Sequence, residues 1–362
     1  MRKLLVLKLF FLTVFIQAQQ NDNLTVGFES NSQYYVDDEK TGDFAEKNRF
    51  RSNNYLKIDY SISKFSFGVQ AEGYEPMSLL NYSPDFNNSN VALYYAKYTS
   101  KKIEATAGYF YEQYGSGLIL RSWEDRQLGI NNALRGGRIR FYPTENVTLS
   151  ALYGNQRSGF DVSDASIYGF NSEFNISSML KSNSWNLDIG LSYVGRKEEN
   201  DNTDYNFNDL TNAFSSRLNF SINNFYSSAE FVSKSSDAVI IFDNIRNTKP
   251  GNAFLFDVGY GKKGFGINAN FRRIENMTFY SERNATGNSF NQNIMNYIPA
   301  LTKQHDYLLT NIYVYQAQPQ ISFQDFALLK IDNMTVTDAM GLLKGNDLTN
   351  FINRSVDLLQ NK

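Results

Sequence analysis

The chain has 362 residues, no cysteine, 35 basic and 37 acidic side chains and a net charge of −2. The lack of thiols excludes disulfides, thiolate metal sites and a lipid-bearing cysteine at a mature N-terminus, and a balanced charge without a basic block gives no case for nucleic acid. Aromatic residues reach 15%, with 29 Phe and 24 Tyr against 2 Trp, yet mean hydropathy is −0.44, which fits strands that are apolar only at alternate positions between loops rich in Asn, Asp and Ser.

Arg2, Lys3 and Lys8 surround an apolar run from Leu4 to Ile16, followed by Gln17, Ala18 and Gln19. This is the layout of an export signal over residues 1–18, cut behind a small residue. The remainder of the chain has no apolar run near the roughly 20 residues a spanning helix needs. Any crossing of a bilayer must therefore be made by strands.

Residues 19–315 read as one all-β barrel: about 14 period-2 stretches, of the transmembrane, up-and-down, antiparallel kind. In the first, Leu24, Val26 and Phe28 face lipid while Thr25, Gly27 and Glu29 face inward. Next, Leu56, Ile58, Tyr60, Phe65, Phe67, Val69 and Ala71 oppose Lys57, Asp59, Gln70 and Glu72. Val147, Leu149, Ala151 and Tyr153 then oppose Thr148, Ser150 and Gln156. The clearest stretch sets Trp185, Leu187, Ile189, Leu191 and Tyr193 against Asn186, Asp188, Gly190 and Ser192, and a late one sets Phe265, Ile267, Ala269 and Phe271 against Asn268, Asn270 and Arg272. A charge such as Lys57 or Arg272 would cost about 2–4 kcal/mol at the lipid midplane, so the charged face is the interior.

Connections alternate in length. Ser61–Lys64, Thr99–Lys102, Pro143–Asn146, Asn223–Asn224 and Gly261–Gly264 are tight, whereas those near Val36–Arg49, Glu75–Asn90, Gly195–Thr211, Ser235–Pro250 and Asn276–Asp306 are long and polar. The tight ones are expected on the periplasmic side and the long ones outside the cell. Over residues 316–362 the pattern breaks: Leu348, Phe351, Ile352, Val356 and Leu359 recur at helical spacing behind Asp347. The chain ends in Lys362 rather than an aromatic residue. The expectation is a helical tail or a truncated barrel end, with ring closure left open.

The most singular segment is Tyr109 to Arg157. Its glycines, Gly115 and Gly117, allow a loop to fold tightly into the lumen. Its charges, Glu112, Arg121, Glu124, Asp125, Arg126, Arg138, Arg140 and Arg157, are candidates for a lumen lining or constriction, where fixed charge pairs set selectivity. The bland alternative is a salt-bridged outer loop with two lumen-facing arginines that only stiffen the wall.

The run GYFYEQYGSGLILRSWEDRQLGINNALRGGRIRFYP, with LTKQHDYLLTNIYVY at Leu301 to Tyr315, resembles an uncharacterised family of Bacteroidota outer-membrane proteins that bears only a domain-of-unknown-function label. More remotely, the order Gln113, Gly115, Trp123, Asp125, then Gly137 beside Arg138 is similar to alginate-export and porin-like barrels. The first resemblance covers about residues 20–320 and implies a location and a barrel, not an activity.

No catalytic set, metal site or cofactor site is expected. His305, the only histidine, sits beside Asp306 with no nucleophile near it in sequence. The run Glu198-Glu199-Asn200-Asp201-Asn202-Thr203-Asp204 lacks the glycine and final glutamate of a calcium loop, and Gly259 to Gly264 lacks P-loop spacing and reads as a hairpin turn. The expectation is an outer-membrane barrel in contact with lipid, passively passing small polar or anionic solutes. The main rival is a non-conducting barrel that serves as a structural or partner-binding part of an envelope or secretion assembly. With no plug-sized domain ahead of the first strand, an energised plugged transporter is disfavoured, and a secreted soluble sandwich would not sort its loops by length.

Overall fold

A computed structural model describes residues 23–36, 49–79, 88–126, 129–199, 208–241, 244–283, 294–298, 330–331 and 334–335. The signal segment 1–18, the stretch around His305 and nearly all of the tail 316–362 lie outside the described residues. The chain divides into a large unit, Met1–Asp37 with Phe44–Pro299, and a second, Asp38–Asp43 with Ala300–Lys362. In the second, Lys330–Ile331 and Met334–Thr335 form a small antiparallel pair.

The wall of the large unit is one antiparallel sheet of thirteen strands: β1 (Leu24–Tyr34), β2 (Phe50–Ile62), β3 (Phe65–Gly73), β4 (Ser89–Thr99), β5 (Ile103–Phe110), β6 (Leu134–Thr144), β7 (Val147–Ser158), β8 (Ser166–Asn175), β9 (Trp185–Lys197), β10 (Leu210–Ile222), β11 (Phe225–Lys234), β12 (Gly251–Lys262) and β13 (Phe265–Glu275), with three small two-stranded ladders in its connections. A two-residue strand, Asp161–Val162, pairs with the end of β7 and makes the fourteenth. Every wall strand pairs with its neighbour in sequence, so the topology is a pure up-and-down meander. No ladder joins β1 to β13 among the described residues, and both strands are exposed on most of both faces.

One end of the wall carries short turns. Ser63-Lys64, Asn223-Asn224 and Lys263-Gly264 each join two strands through a residue with positive φ: Ser63, Asn223 and Gly264 respectively, as two-residue hairpins require. Between β8 and β9 the turn is a single helical coil, Ile176–Met179, capped by Asn175, whose side chain accepts from the Ser178 N–H at 2.7 Å. The longer connections leave the wall strands from the opposite end.

The sheet curves round an interior. Arg157 on β7 donates to Glu72 on β3 at 2.7 Å, although four strand steps on a flat sheet would separate them by roughly 19 Å. The convex face is a band of exposed apolar side chains, among them Phe28, Phe67, Val69, Ile139, Phe141, Leu191, Phe214, Leu218, Phe231 and Phe271. Exposed apolar area of this extent is not left in water. With a polar concave face it makes the chain a transmembrane up-and-down β-barrel.

Candidate functional site: a lumen filled from one end

The connection between β5 and β6, residues 111–133, does not stand outside the barrel. It folds back into the interior. Gly115 and Gly117 have φ of +55° and +96°, and a Cβ on Gly115 would lie 2.4 Å from Arg217 Cδ and 2.8 Å from Glu230 Oε1; only glycine combines that backbone with so close an approach to β10 and β11. Ser116 N–H then donates to Glu230 at 3.1 Å. Tyr114, Leu118, Ile119 and Leu120 are fully buried against one inward residue from each of seven successive strands: Leu134, Leu152, Ile167, Val194, Ala213, Val232 and Ala253.

A second segment closes over the first. The connection after β13 is expected from its length to lie outside the cell. Its described parts instead turn inward: Met277, Phe279 and Met295 join the same apolar cluster. Arg121 N–H donates to the Met295 carbonyl at 2.7 Å and Tyr297 N–H to that of Gly117 at 2.9 Å. The Asn296 amide reaches the Leu118 and Met277 carbonyls at 2.8 and 2.6 Å. Backbone groups carried away from water need such partners, and each segment supplies the other's.

The charged candidates fall into four settings. Arg138 and Arg140 point inward from β6. Arg138 donates to Glu104 at 2.7 Å and lies 3.4 Å from Glu112; Arg140 donates to Glu112 at 2.8 and 2.9 Å; Lys97 pairs with Glu104 at 2.8 Å. Three cations thus face two carboxylates. Arg126 donates to Glu124 at 3.0 Å and to Glu29 of β1, with its guanidinium over the Tyr55 ring. Asp125 pairs with Ile130 in a two-residue ladder. Arg121 lies between the rings of Trp123 and Tyr297, 4.7 and 4.2 Å from their centroids, a cation–π arrangement. Arg157 and Glu72 are fully buried and bonded twice, at 3.1 and 2.7 Å; Tyr74 and Gln70 donate to the remaining Glu72 lone pairs.

A further cluster is not visible in the strand pattern. Arg196 at the end of β9 donates to Asp237 at 2.6 Å and to Thr211, while Arg283 donates to Asp237 at 3.4 Å and its backbone N–H to Glu198. All but Glu198 are buried almost completely. Its place in a long connection makes Arg283 an expected exposed charge of an outer loop; that expectation is corrected, because the loop is drawn into the barrel mouth and the residue is 1% exposed. Burial pushes the Glu198 carboxyl above its ordinary range, against the pull of Arg196 and Arg283. Ser192 faces inward as the alternation predicts, but an inward position facing open lumen water, where a larger side chain would be tolerated, is corrected: it is buried, donating to Asn171 and accepting from Arg217 at 2.7 Å.

A sequence signal for the filled half does exist. Alternation puts Val194, Ala213, Val232 and Ala253 on the inward face, where an aqueous pore would want polar residues. Such a ring of apolar inward residues marks the height at which something packs inside.

Over residues 1–336 the chain matches the family model described as a family of unknown function, DUF6029. No curated protein matches. Among solved structures it is similar to OccAB3 of Acinetobacter baumannii, at 12% identity over 67% of this chain and 76% of that one with a TM-score of 0.32, and to OpdK of Pseudomonas aeruginosa, solved with vanillate, at 12% over 66% and 76% with a TM-score of 0.33. A BenF-like porin of Pseudomonas fluorescens Pf-5 is similar at 11% over 66% and 76%, again with a TM-score of 0.33. The protein is a member of the DUF6029 family.

Proposed function

We propose that this protein is an outer-membrane channel, exported through the signal in residues 1–18, that passes small polar or anionic solutes passively and carries out no chemistry on them. The observation that carries the reading is the concave face in the turn-side half of the barrel, where Asn186, Asp188, Asn219, Arg138, Arg140, Thr148 and Glu173 line the wall while apolar side chains occupy its convex face. In this reading the segment 111–133 is the constriction. Glu112, Arg121, Glu124, Asp125, Arg126, Arg138, Arg140 and Arg157 fix its position and field, and a small excess of cations at Lys97, Arg138 and Arg140 favours anions.

A second reading has its own support. The apolar cluster spanning β6 to β12 fills the long-loop half of the interior, which suits a non-conducting barrel that binds an envelope partner. Single-channel recording on the refolded protein separates the two: discrete ion-conducting steps are expected, and silent bilayers would replace the channel with the scaffold. The location has its own test. The protein should fractionate with outer membranes and run faster unboiled than boiled on SDS gels, because a wall whose strands are hydrogen-bonded to one another resists detergent; recovery from the soluble periplasm would overturn it.

A further inference from the structure

The arginines around the inserted segment are not equivalent. Arg126, Arg138, Arg140 and Arg157 each hold a carboxylate, whereas among the described residues no carboxylate and no hydrogen-bond acceptor meets the guanidinium of Arg121. Two rings lie over it instead: Trp123 from the same segment, 4.7 Å to the centroid, and Tyr297 from the segment that closes over it, 4.2 Å. Rings attract a cation through their faces. They leave its charge unneutralised and its in-plane N–H donors unused. Arg121 is half-buried, and none of its side-chain nitrogens is sealed from solvent.

The mount is fixed from both segments. Arg121 N–H donates to the Met295 carbonyl at 2.7 Å and Tyr297 N–H to that of Gly117 at 2.9 Å. Gly117 lets the two side chains close on each other: a Cβ there would lie 3.1 Å from Arg121 Cβ and 3.3 Å from Tyr297 Cβ. Direction follows from a short ladder in which Gln113 opposes Arg121 and Tyr114 opposes Leu120. Opposed residues share a face and successive ones alternate. Tyr114 and Leu120 enter the apolar cluster, so Arg121 and the exposed Gln113 are turned away from it, toward the interior that the cluster leaves unfilled. That interior is bounded by β1 and β13 as well, and their inward Thr25, Asn31, Asn268 and Asn270 remain exposed.

We propose that Arg121 is the contact an oxyanionic solute makes inside this barrel, its guanidinium held between Trp123 and Tyr297 and its free N–H edge receiving two oxygens of a carboxylate or phosphate. A planar fork matches either group through paired hydrogen bonds, and a side chain already held between two rings loses little freedom on binding. Passage of the solute rests on the channel reading; binding itself does not.

The chain's two tryptophans, Trp123 and Trp185, supply the test. Trp185 begins β9 on the outward face, so Trp185→Phe in the full-length protein refolded in detergent leaves Trp123 as the reporter. At constant ionic strength, acetate or inorganic phosphate replacing chloride should change Trp123 emission in a saturable way, and glucose should not. A response to acetate alone assigns a carboxylate, to phosphate alone a phosphate-bearing solute, and to both an oxyanion site that accepts either. Arg121→Gln should weaken the response about tenfold or more, the size of effect expected of a charged hydrogen bond. Arg121→Lys, which keeps the charge but loses the planar fork, should weaken it too, and carries the test should Arg121→Gln not fold. No saturable change with either anion, a change that follows ionic strength whatever the anion, or a response undiminished in both variants would overturn the site. A protein that responds but carries no current keeps the site and loses the channel; one that conducts without any response keeps the channel and loses the site.

Discussion

The two halves of strand β9 teach different lessons. Toward the turns its inward residues are Asn186, Asp188 and Gly190, and the first two have much of their surface in water or in small polar contacts. Toward the loops the same face carries Ser192, Val194 and Arg196, all buried, with Arg196 completely so. Nothing changes in backbone geometry along the strand. What changes is whether the described parts of the inserted segments, residues 111–126, 129–133, 277–283 and 294–298, lie opposite. One half of the wall is a polar surface, and the other is the shell of a small protein core with its own apolar cluster and buried ion pairs.

The strongest way to break that contrast is at the buried pair. Removing Arg157 or Glu72 alone leaves an uncompensated buried charge, at a cost of about 3–5 kcal/mol, and urea unfolding in vesicles should show it. Replacing both together by Leu should recover much of the loss; a double variant as unstable as the singles would mean that the pair does not hold β7 against β3 as described.

Next comes the apolar shell. Ile119 is fully buried, and Ile119→Ala should cost about 2–5 kcal/mol through the cavity it leaves. Because the loss falls on the inserted segment, proteolysis within residues 111–133 should accelerate well before the wall unfolds. Equal protection in variant and wild type would argue against a separately anchored segment.

The turn-side half sharpens the comparison from outside. Leu187→Arg places a charge on the lipid face and should cost about 2–4 kcal/mol, whereas Asn186→Arg, one residue away on the exposed inward face, should leave folding into bilayers nearly unchanged. Ser192→Arg, farther along that same inward face, should be damaging because it enters the filled half. If Asn186→Arg and Ser192→Arg behave alike, the two halves do not differ as the burial pattern says.

The smallest expected effect is on selectivity. Changing Arg138 and Arg140 together to Ala leaves Lys97 alone against Glu104 and Glu112, so the local balance passes from one net cation to one net anion. Reversal potential in a salt gradient should move toward cations, by an amount limited because both guanidiniums are already paired. Lys64, exposed in a tight turn, is the proper control, whereas Arg283 is buried in an ion cluster and could not serve. No shift in the double variant would remove these two arginines from the conduction path.

Much of this molecule was legible in the chain itself. Period-2 alternation determined which face of each strand meets lipid, from Phe28 through Leu191 to Phe271, because side-chain direction along a strand depends only on position. Turn chemistry determined the tight end, since Asn223 and Gly264 tolerate the left-handed backbone that a two-residue connection demands. Glycines at 115 and 117 pointed to a tightly folded loop. Only the tertiary structure decided where that loop docks, that the connection after β13 folds in with it, and that Arg157 meets Glu72 while Arg196 and Arg283 share Asp237. Those partners lie 85 residues apart in the first case, and Asp237 lies 41 residues from Arg196 and 46 from Arg283. Contacts across a lumen depend on how the sheet curves and on which loops enter it, and neither is written in the local period of any strand.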